Sequence, residues 1–150
     1  MKQKIFLIFV LFTISLYSQF EEKGNNFSVG VDEIYSGYLK ERQGIHCKIF
    51  TFDYERIKDF RIIISFTLPE KPKYFYTGYL TSYFSDDLNI QEKYHVYINQ
   101  PEDLAYIFRQ IIEGKLITIK TDKEVYYFDF SKYTNDIAKS KFYQKLIEEY

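Results

Sequence analysis

Cys47, His46 and His95 are the residues of this chain best suited to nucleophilic or acid–base chemistry. A cysteine hydrolase needs a thiolate beside a histidine base. His46 and Cys47 are neighbours in a segment that reads as a strand, so their side chains point to opposite faces. His95 would then have to be the base, and no spacing in the sequence places it near Cys47. We therefore interpret Cys47 as a structural residue.

Metal and phosphate sites have no clear signature either. The two histidines lack the His-x-His or Cys-x-x-Cys spacing of a zinc site. Asp86, Asp87 and Asn89 could offer oxygen atoms to calcium, but they read as a solvated loop without an Asp-x-Asp-x-Asp-Gly pattern. No Gly-x-Ser-x-Gly or phosphate-binding glycine loop occurs. The sequence thus predicts no catalytic residue, no metal and no cofactor. Paired carboxylates stay open, because their separation depends on the fold.

The feature with the most functional content is a tyrosine-rich run over 74–84. Its pattern predicts one long strand, with a possible kink at Gly78. One face of that strand would present Phe75, Tyr79 and Tyr83, which we take as candidate binding residues. Such rings suit a protein interface or a surface that stacks sugars, and the absence of Trp disfavours sugars. An ordinary half-exposed strand gives the same pattern, because Tyr has a high β-propensity.

Residues 1–18 have the composition of a secretory signal peptide. Lys2 and Lys4 precede an apolar run from Ile5 to Phe12, and Ser18 offers a small residue at the cleavage position. The run is shorter than the roughly 20 residues of a membrane span. We expect cleavage near Ser18 and a soluble protein in the periplasm or outside the cell, without stable membrane insertion.

Cleavage at this position would leave 132 of the 150 residues, which is ample for one domain. Loss of two lysines would leave 18 basic residues against 21 acidic ones, a net charge of −3. A charge so close to zero gives no broad attraction to nucleic acid, which we exclude as a partner. Cys47 is the single cysteine, so the chain cannot form an internal disulfide and must depend on its core.

The periodicity predicts mainly strands before residue 100 and helices with a hairpin after it. Polar residues 19–26 predict a flexible lead-in, and 32–43 fits a helix slightly better than a strand through 34–39. The predicted strands cover 27–31, 45–53, 60–68, 74–84 and 94–98, with a charged connection over 54–59 and a polar loop over 85–92.

The C-terminal third predicts two amphipathic helices, at about 101–113 and 134–149, separated by a hairpin over 115–130. A two-residue turn at Asp122-Lys123 sets Ile119 opposite Tyr126 and Ile117 opposite Phe128. The order predicts one α+β domain over 27–150, in which an antiparallel sheet with hairpins 45–68 and 115–130 packs on both helices. Its predicted core consists of Ile62, Ile64, Phe66, Ile107, Phe108, Ile111, Ile117, Ile119 and Phe128.

Residues 60–139 predict a strand, a long loop, an amphipathic helix and a hairpin, followed by Phe128-Asp129-Phe130-Ser131 and a short helix with Ala138. This order resembles that of accessory envelope proteins. Examples are the invasion-associated B family and the periplasmic accessories of type VI secretion. Those families usually carry cysteines near these positions, and this chain has none there.

Together, the export signal, the few catalytic groups and the tyrosine-rich run predict an exported, non-enzymatic domain that binds another protein. Immunity proteins, inhibitors and envelope accessory proteins belong to this class. The alternative is a small carboxylate-dependent hydrolase, or a carbohydrate-binding module, acting on cell-wall or polysaccharide material.

Overall fold

The computed structural model describes residues 19–54, 61–84 and 93–150. The described chain forms two antiparallel sheets and three α-helices, which confirms the predicted single α+β domain. Three predicted segments lie wholly or almost wholly outside the described residues. They are the export signal, the loop that carries Asp86, Asp87 and Asn89, and the charged connection over 54–59.

The first sheet has five strands in the order β1-β2-β3-β4-β7. Each strand pairs antiparallel with its neighbours, and the predicted strands over 27–31, 45–53, 60–68 and 94–98 all belong to this sheet. Its members are β1 (Gln19–Lys23), β2 (Asn26–Asp32), β3 (His46–Thr51), β4 (Ile62–Thr67) and β7 (Lys93–Ile98).

The second sheet has four strands in the order β6-β5-β8-β9. They are β5 (Pro72–Thr77), β6 (Leu80–Tyr83), β8 (Ile117–Thr121) and β9 (Val125–Phe128). The two hairpins predicted for one sheet therefore lie in different sheets. The predicted register of the β8–β9 hairpin is confirmed, with Ile119 opposite Tyr126 and Ile117 opposite Phe128.

The helices are α1 (Pro101–Ile112), α2 (Thr134–Lys139) and α3 (Lys141–Glu149). Pro101 opens α1 with Glu102 and Asp103 in its first turn, where the helix dipole favours negative charge. Gly114 follows the helix with a φ of 85°, a conformation that glycine adopts readily.

One hydrophobic core joins both sheets and all three helices. Phe66 of the five-stranded sheet contacts Phe75 and Phe128 of the four-stranded sheet, with ring centroids 6.1 and 5.7 Å apart. Phe108 of α1 packs edge-on against Phe142 of α3 at 5.0 Å. All nine residues of the predicted core are buried in this cluster, so that prediction is confirmed.

The predicted flexible lead-in is corrected by β1. Gln19–Lys23 pairs along its whole length with β2, and the Glu22 carboxylate accepts hydrogen bonds from the backbone N–H groups of Lys141 and Phe142 at 3.1 and 3.0 Å. These bonds satisfy donors at the start of α3 that have no partner within the helix. A polar strand is therefore held by a contact some 120 residues away in sequence.

The helix predicted over 32–43 is wrong, and so is the alternative strand over 34–39. Asp32 ends β2, residues 34–38 form turns, and a short 3-10 helix covers Lys40–Arg42. The buried Glu33 carboxylate accepts a hydrogen bond from the Tyr35 N–H at 2.9 Å, which competes with a helical path for the backbone.

The predicted C-terminal helix is two helices, because Ser140 is extended with a ψ of 146°. Its hydroxyl donates to the Ile137 carbonyl at 2.6 Å and accepts from the Tyr143 N–H at 3.1 Å. One side chain thus closes α2 and caps α3.

Candidate functional site

The tyrosine-rich run is a hairpin, which corrects the single long strand predicted for it. Gly78 has a φ of 57° and begins a two-residue turn, so the chain reverses after Thr77 and returns as β6. A glycine at the first position of such a turn matches the twist of the flanking strands. The prediction allowed a kink at Gly78 but missed the reversal.

Reversal changes which rings share a face. Tyr74 lies opposite Tyr83 and Tyr76 lies opposite Thr81, so these side chains point away from the core. Thr118 of β8 lies opposite both Tyr76 and Tyr127, which puts Tyr127 on the same face. We call the outward side chains of Tyr74, Tyr76, Tyr83 and Tyr127 the tyrosine face.

The structure does not bring the three predicted binding residues together. Phe75 is fully buried and points into the core, Tyr79 is 99% exposed at the hairpin tip, and Tyr83 is 76% exposed on the tyrosine face. Of the three residues, Tyr83 alone lies on the tyrosine face. Tyr74 and Tyr76 stood on the strand face that the sequence reasoning set aside, and Tyr127 could be linked to them only through the sheet.

Rings of the tyrosine face touch one another at an angle. Tyr74 is 6.1 Å from Tyr76 and 5.7 Å from Tyr83, with interplanar angles of 37° and 56°. At the opposite side, Tyr35 packs edge-on against Tyr127 at 6.4 Å. The result is an uneven aromatic surface rather than one flat platform.

Lysines give the tyrosine face a local positive charge. Lys120 lies between Tyr74 and Val125 in the sheet and is exposed, and Lys123 is exposed at the neighbouring turn. Neither has an acidic partner among the described residues. Lys73 at the rim is paired with Asp122 at 2.5 Å.

Two recesses border the face, of about 370 and 460 Å³. The first lies on the side of the β8–β9 turn, and the second lies between that turn and β6. Their linings include Arg42, Lys120, Asp122, Lys123, Glu124 and Tyr127 for the first, and Lys71, Lys73, Tyr74, Tyr83 and Asp122 for the second.

An ion pair fixes one end of this sheet. Arg42 donates to the fully buried Glu33 carboxylate at 2.9 Å, to the Val125 carbonyl at 3.1 Å and to Glu124 at 2.8 Å. Its guanidinium also lies 5.5 Å from the ring centre of Tyr35 and 4.9 Å from that of Tyr126. Planar and permanently charged, arginine is suited to such combined bonding and stacking.

A second polar cluster lies beneath the β8–β9 turn. Glu70 accepts hydrogen bonds from the Thr121 hydroxyl at 2.5 Å and from the Tyr126 hydroxyl at 3.0 Å. Burial of the Tyr126 phenol, assisted by the bond to Glu70, raises its pKa well above its usual value. The Thr121 oxygen also accepts from the N–H groups of Lys123 and Glu124, so the cluster ties the turn to the chain around Glu70.

The residues considered for nucleophilic chemistry lie apart from the tyrosine face. Cys47 is fully buried, and burial raises the pKa of its thiol, which leaves it unreactive. His46 points to the outer side of the five-stranded sheet, where its Nε2 lies 3.0 Å from the Thr67 hydroxyl. That cross-strand contact on an open sheet face suits a structural role better than catalysis.

Three carboxylates with reduced exposure are engaged in structural bonds. Glu22 caps α3, Glu33 is paired with Arg42, and Glu70 holds Thr121 and Tyr126. Glu33 and Glu124 both bond to the Arg42 guanidinium, so a structural cation takes the place between them where paired catalytic carboxylates would hold substrate or water.

Across the residues that the structure describes, no cluster of three or more His, Cys, Asp or Glu side chains could hold a metal ion. Within the same ranges, no helix is long and apolar enough to cross a membrane. No protein-family model, curated protein or solved structure matches this chain at a significant level.

Proposed function

We propose that this protein is an exported, non-enzymatic binding domain that recognises another protein through its tyrosine face. The observation that carries the proposal is the set of four outward tyrosines on one sheet, beside Lys120 and Lys123, which form no ion pair with any described residue. Tyrosines supply large contact area with few rotatable bonds and are enriched at protein interfaces.

The partner surface should be acidic. Within the ranges that the structure describes, no carboxylate pairs with Lys120 or Lys123, whereas Arg42 and Lys73 are paired. Opposite charge across an interface favours encounter and fixes the orientation of the partners. The proposed partner is therefore a protein that presents Asp or Glu around an apolar centre.

A protein fits this face better than a polysaccharide does. Sugar stacking favours a flat aromatic platform, and the Tyr74 ring is tilted by 37° against Tyr76 and by 56° against Tyr83. Protein side chains can fill an uneven aromatic surface. Hydrolysis is a weaker candidate, because Glu22, Glu33 and Glu70 are all engaged in structural bonds.

Capture from an envelope fraction tests the proposal. The mature chain serves as bait, and any captured protein is then purified and its affinity measured against the variant Tyr76→Ser/Tyr83→Ser. Interface tyrosines often contribute 2 kcal/mol or more, so we expect binding to weaken at least tenfold. The matched control is Tyr97→Ser, which alters a tyrosine that is 54% exposed on the other sheet.

Charge is tested separately. Lys120→Glu should weaken the same complex, whereas Lys115→Glu, at an exposed lysine beyond α1, should not. Equal affinity of the wild type and the Tyr76→Ser/Tyr83→Ser variant would overturn the proposal. So would turnover of envelope polysaccharide by the wild-type chain with no partner captured.

Export is tested by mass spectrometry of the protein recovered from the periplasm or the medium. We expect a mature chain that begins near Gln19. An intact Met1 terminus in the membrane pellet would contradict cleavage.

A further inference from the structure

Among the described residues, β6 has no neighbouring strand on its outer side, and this edge differs from the sheet edges at β1 and β9. β1 carries three charged residues among five, and charge on an edge strand discourages pairing with another chain. The edge at β9 is occupied, because Ile34 donates its N–H to the Tyr127 carbonyl and Glu33 bridges to Phe128. β6 reads Leu-Thr-Ser-Tyr and has no charge, no proline and no glycine.

The pattern of hydrogen bonds shows which backbone groups of β6 point outward. The Phe84 N–H donates to the Lys73 carbonyl at 3.2 Å, so Phe84 directs its backbone groups toward β5. Because direction alternates along a strand, Ser82 and Leu80 also face β5. The N–H and C=O groups of Thr81 and Tyr83 therefore face away from the sheet, with no partner among the described residues.

We propose that β6 pairs antiparallel with β6 of a second copy of this chain, about a two-fold axis at Ser82. In this register Thr81 lies opposite Tyr83 of the second copy, and the reverse pair follows by symmetry. Both residues of each pair have outward backbone groups, so the contact forms four N–H···O=C hydrogen bonds. A self-complementary strand is what a two-fold interface requires.

Side chains support the same register. Leu80 and Phe84 are half-buried at the two ends of the strand, and the pairing sets Leu80 opposite Phe84 of the second copy. On the outer side, Tyr83 faces Thr81, and no like charges meet. Sliding the strands until Thr81 faces Thr81 leaves a single hydrogen-bonded pair within β6. The Ser82-centred dimer is an eight-stranded sheet with two tyrosine faces on the same side.

A cysteine variant tests the register. In the proposed dimer, the Ser82 residues of the two copies face each other with Cα atoms about 4.5 Å apart, which a disulfide can span. Thr81 of one copy lies about 8 Å from Thr81 of the other, which is too far for a disulfide. Natural Cys47 is buried and does not interfere. Mild oxidation should therefore cross-link Ser82→Cys and leave Thr81→Cys largely monomeric.

A backbone variant tests the hydrogen bonds without a cross-link. Thr81→Pro removes an outward N–H and no bond to β5, and Thr81→Val keeps the N–H with a β-branched side chain. A contact of this size is weak, so sedimentation is followed up to about 1 mM protein. We expect dimer for the wild type and Thr81→Val, and monomer for Thr81→Pro with an unchanged circular dichroism spectrum.

Three results would overturn the proposal, and they do not depend on the partner proposed above. The first is a wild type that stays monomeric at the highest concentration. The second is equal cross-linking of Ser82→Cys and Thr81→Cys, which points to random collision. The third is loss of dimer in Thr81→Val as well as Thr81→Pro, because a side-chain effect would then explain the contact.

Discussion

The two sheets share one core, but their outer faces carry different side chains. The tyrosine face has rings at its centre and ion pairs at its rim, where Arg42 bonds to Glu33 and Glu124. On the five-stranded sheet, a row of Phe50, Ile63 and Tyr97 crosses β3, β4 and β7. Half-buried His95 lies in the next row, and half-buried His46 lies one row further along the same face.

This difference shows that the two faces depend on different interactions. The tyrosine face is positioned by polar contacts between distant segments, such as Arg42 with Glu124 and Glu70 with Tyr126. Beneath the other face, Val29, Ile49 and Ile64 form a fully buried row across β2, β3 and β4. Loss of a polar partner should therefore destabilise the sheet that carries the tyrosine face. Protonation of His46 and His95 should destabilise the five-stranded sheet.

The largest effect is expected from a substitution in the core that the two sheets share. Phe128→Ala empties a fully buried site that contacts Phe66 across the sheets. We expect a loss of about 3 to 5 kcal/mol in the free energy of unfolding, with both sheets unfolding in one transition. Urea denaturation measures this, and Phe52→Ala at an exposed position should change stability by less than about 0.5 kcal/mol. Two separate transitions would show that the sheets are independent units.

The second-largest effect is expected from loss of the Arg42–Glu33 ion pair, and it should destabilise only the sheet that carries the tyrosine face. Arg42→Met leaves the Glu33 carboxylate buried without a counter-ion, and we expect a loss of about 3 kcal/mol. Glu124→Gln breaks only the exposed bond and should cost less than about 1 kcal/mol. Hydrogen exchange should report opening of β9 before β3. Adding Glu33→Gln to Arg42→Met removes the buried charge and keeps an oxygen for the Tyr35 N–H, so it should restore stability. A failure to do so would remove charge burial as the cause.

Periodicity in the sequence predicted what is local or repetitive in this fold. The β8–β9 register followed from alternation on either side of Asp122-Lys123, and the apolar stripe of α1 followed from its 3.6-residue period. The nine core residues were found in the same way. In each case the information lies within one or two elements.

What the sequence could not show depends on contacts between distant residues. Glu33 and Arg42 override the helical pattern of 32–43 by bonding to β9, and Glu22 caps a helix at the other end of the chain. The tyrosine face has the same origin, because Tyr127 joins Tyr76 only through β8. Gly78 was the one local signal for the hairpin, and a single glycine also fits a kink or bulge.

A third prediction concerns the turn that carries β6. Gly78→Ala combines a positive φ with a steric conflict, because a Cβ there would meet the Tyr106 hydroxyl and the Gln110 side chain of α1. We expect a loss of about 2 kcal/mol. Gly114 also has a positive φ but open space around it, so Gly114→Ala should cost about 1 kcal/mol. Equal thermal shifts for both variants would show that the contact with α1 is unimportant.

The smallest expected effect is a dependence of stability on pH that comes from the five-stranded sheet. Burial lowers the pKa of His46 below its usual 6.5, against the opposing effect of Asp32. Burial, with nearby Lys93, lowers the pKa of His95 in the same way. The unfolded chain therefore binds more protons than the folded chain once the pH falls below 6.5. The stability that comes from keeping both histidines neutral is fully present above that pH. It is lost as the pH drops toward the lowered pKa values.

Both rings are partly exposed, so solvent screening keeps the expected loss below about 1 kcal/mol. Urea midpoints measured from about pH 8 to pH 5.5 should fall on acidification, and His46→Gln/His95→Gln should flatten the curve. Asp32 has the opposite sign, because burial raises its pKa above 3.8, and its effect belongs to more acidic solutions. The Tyr126–Glu70 contact that supports the four-stranded sheet should not respond in this range, since the Tyr126 phenol ionises only far above it. An unchanged slope in the double variant would mean that protonation does not distinguish the two faces.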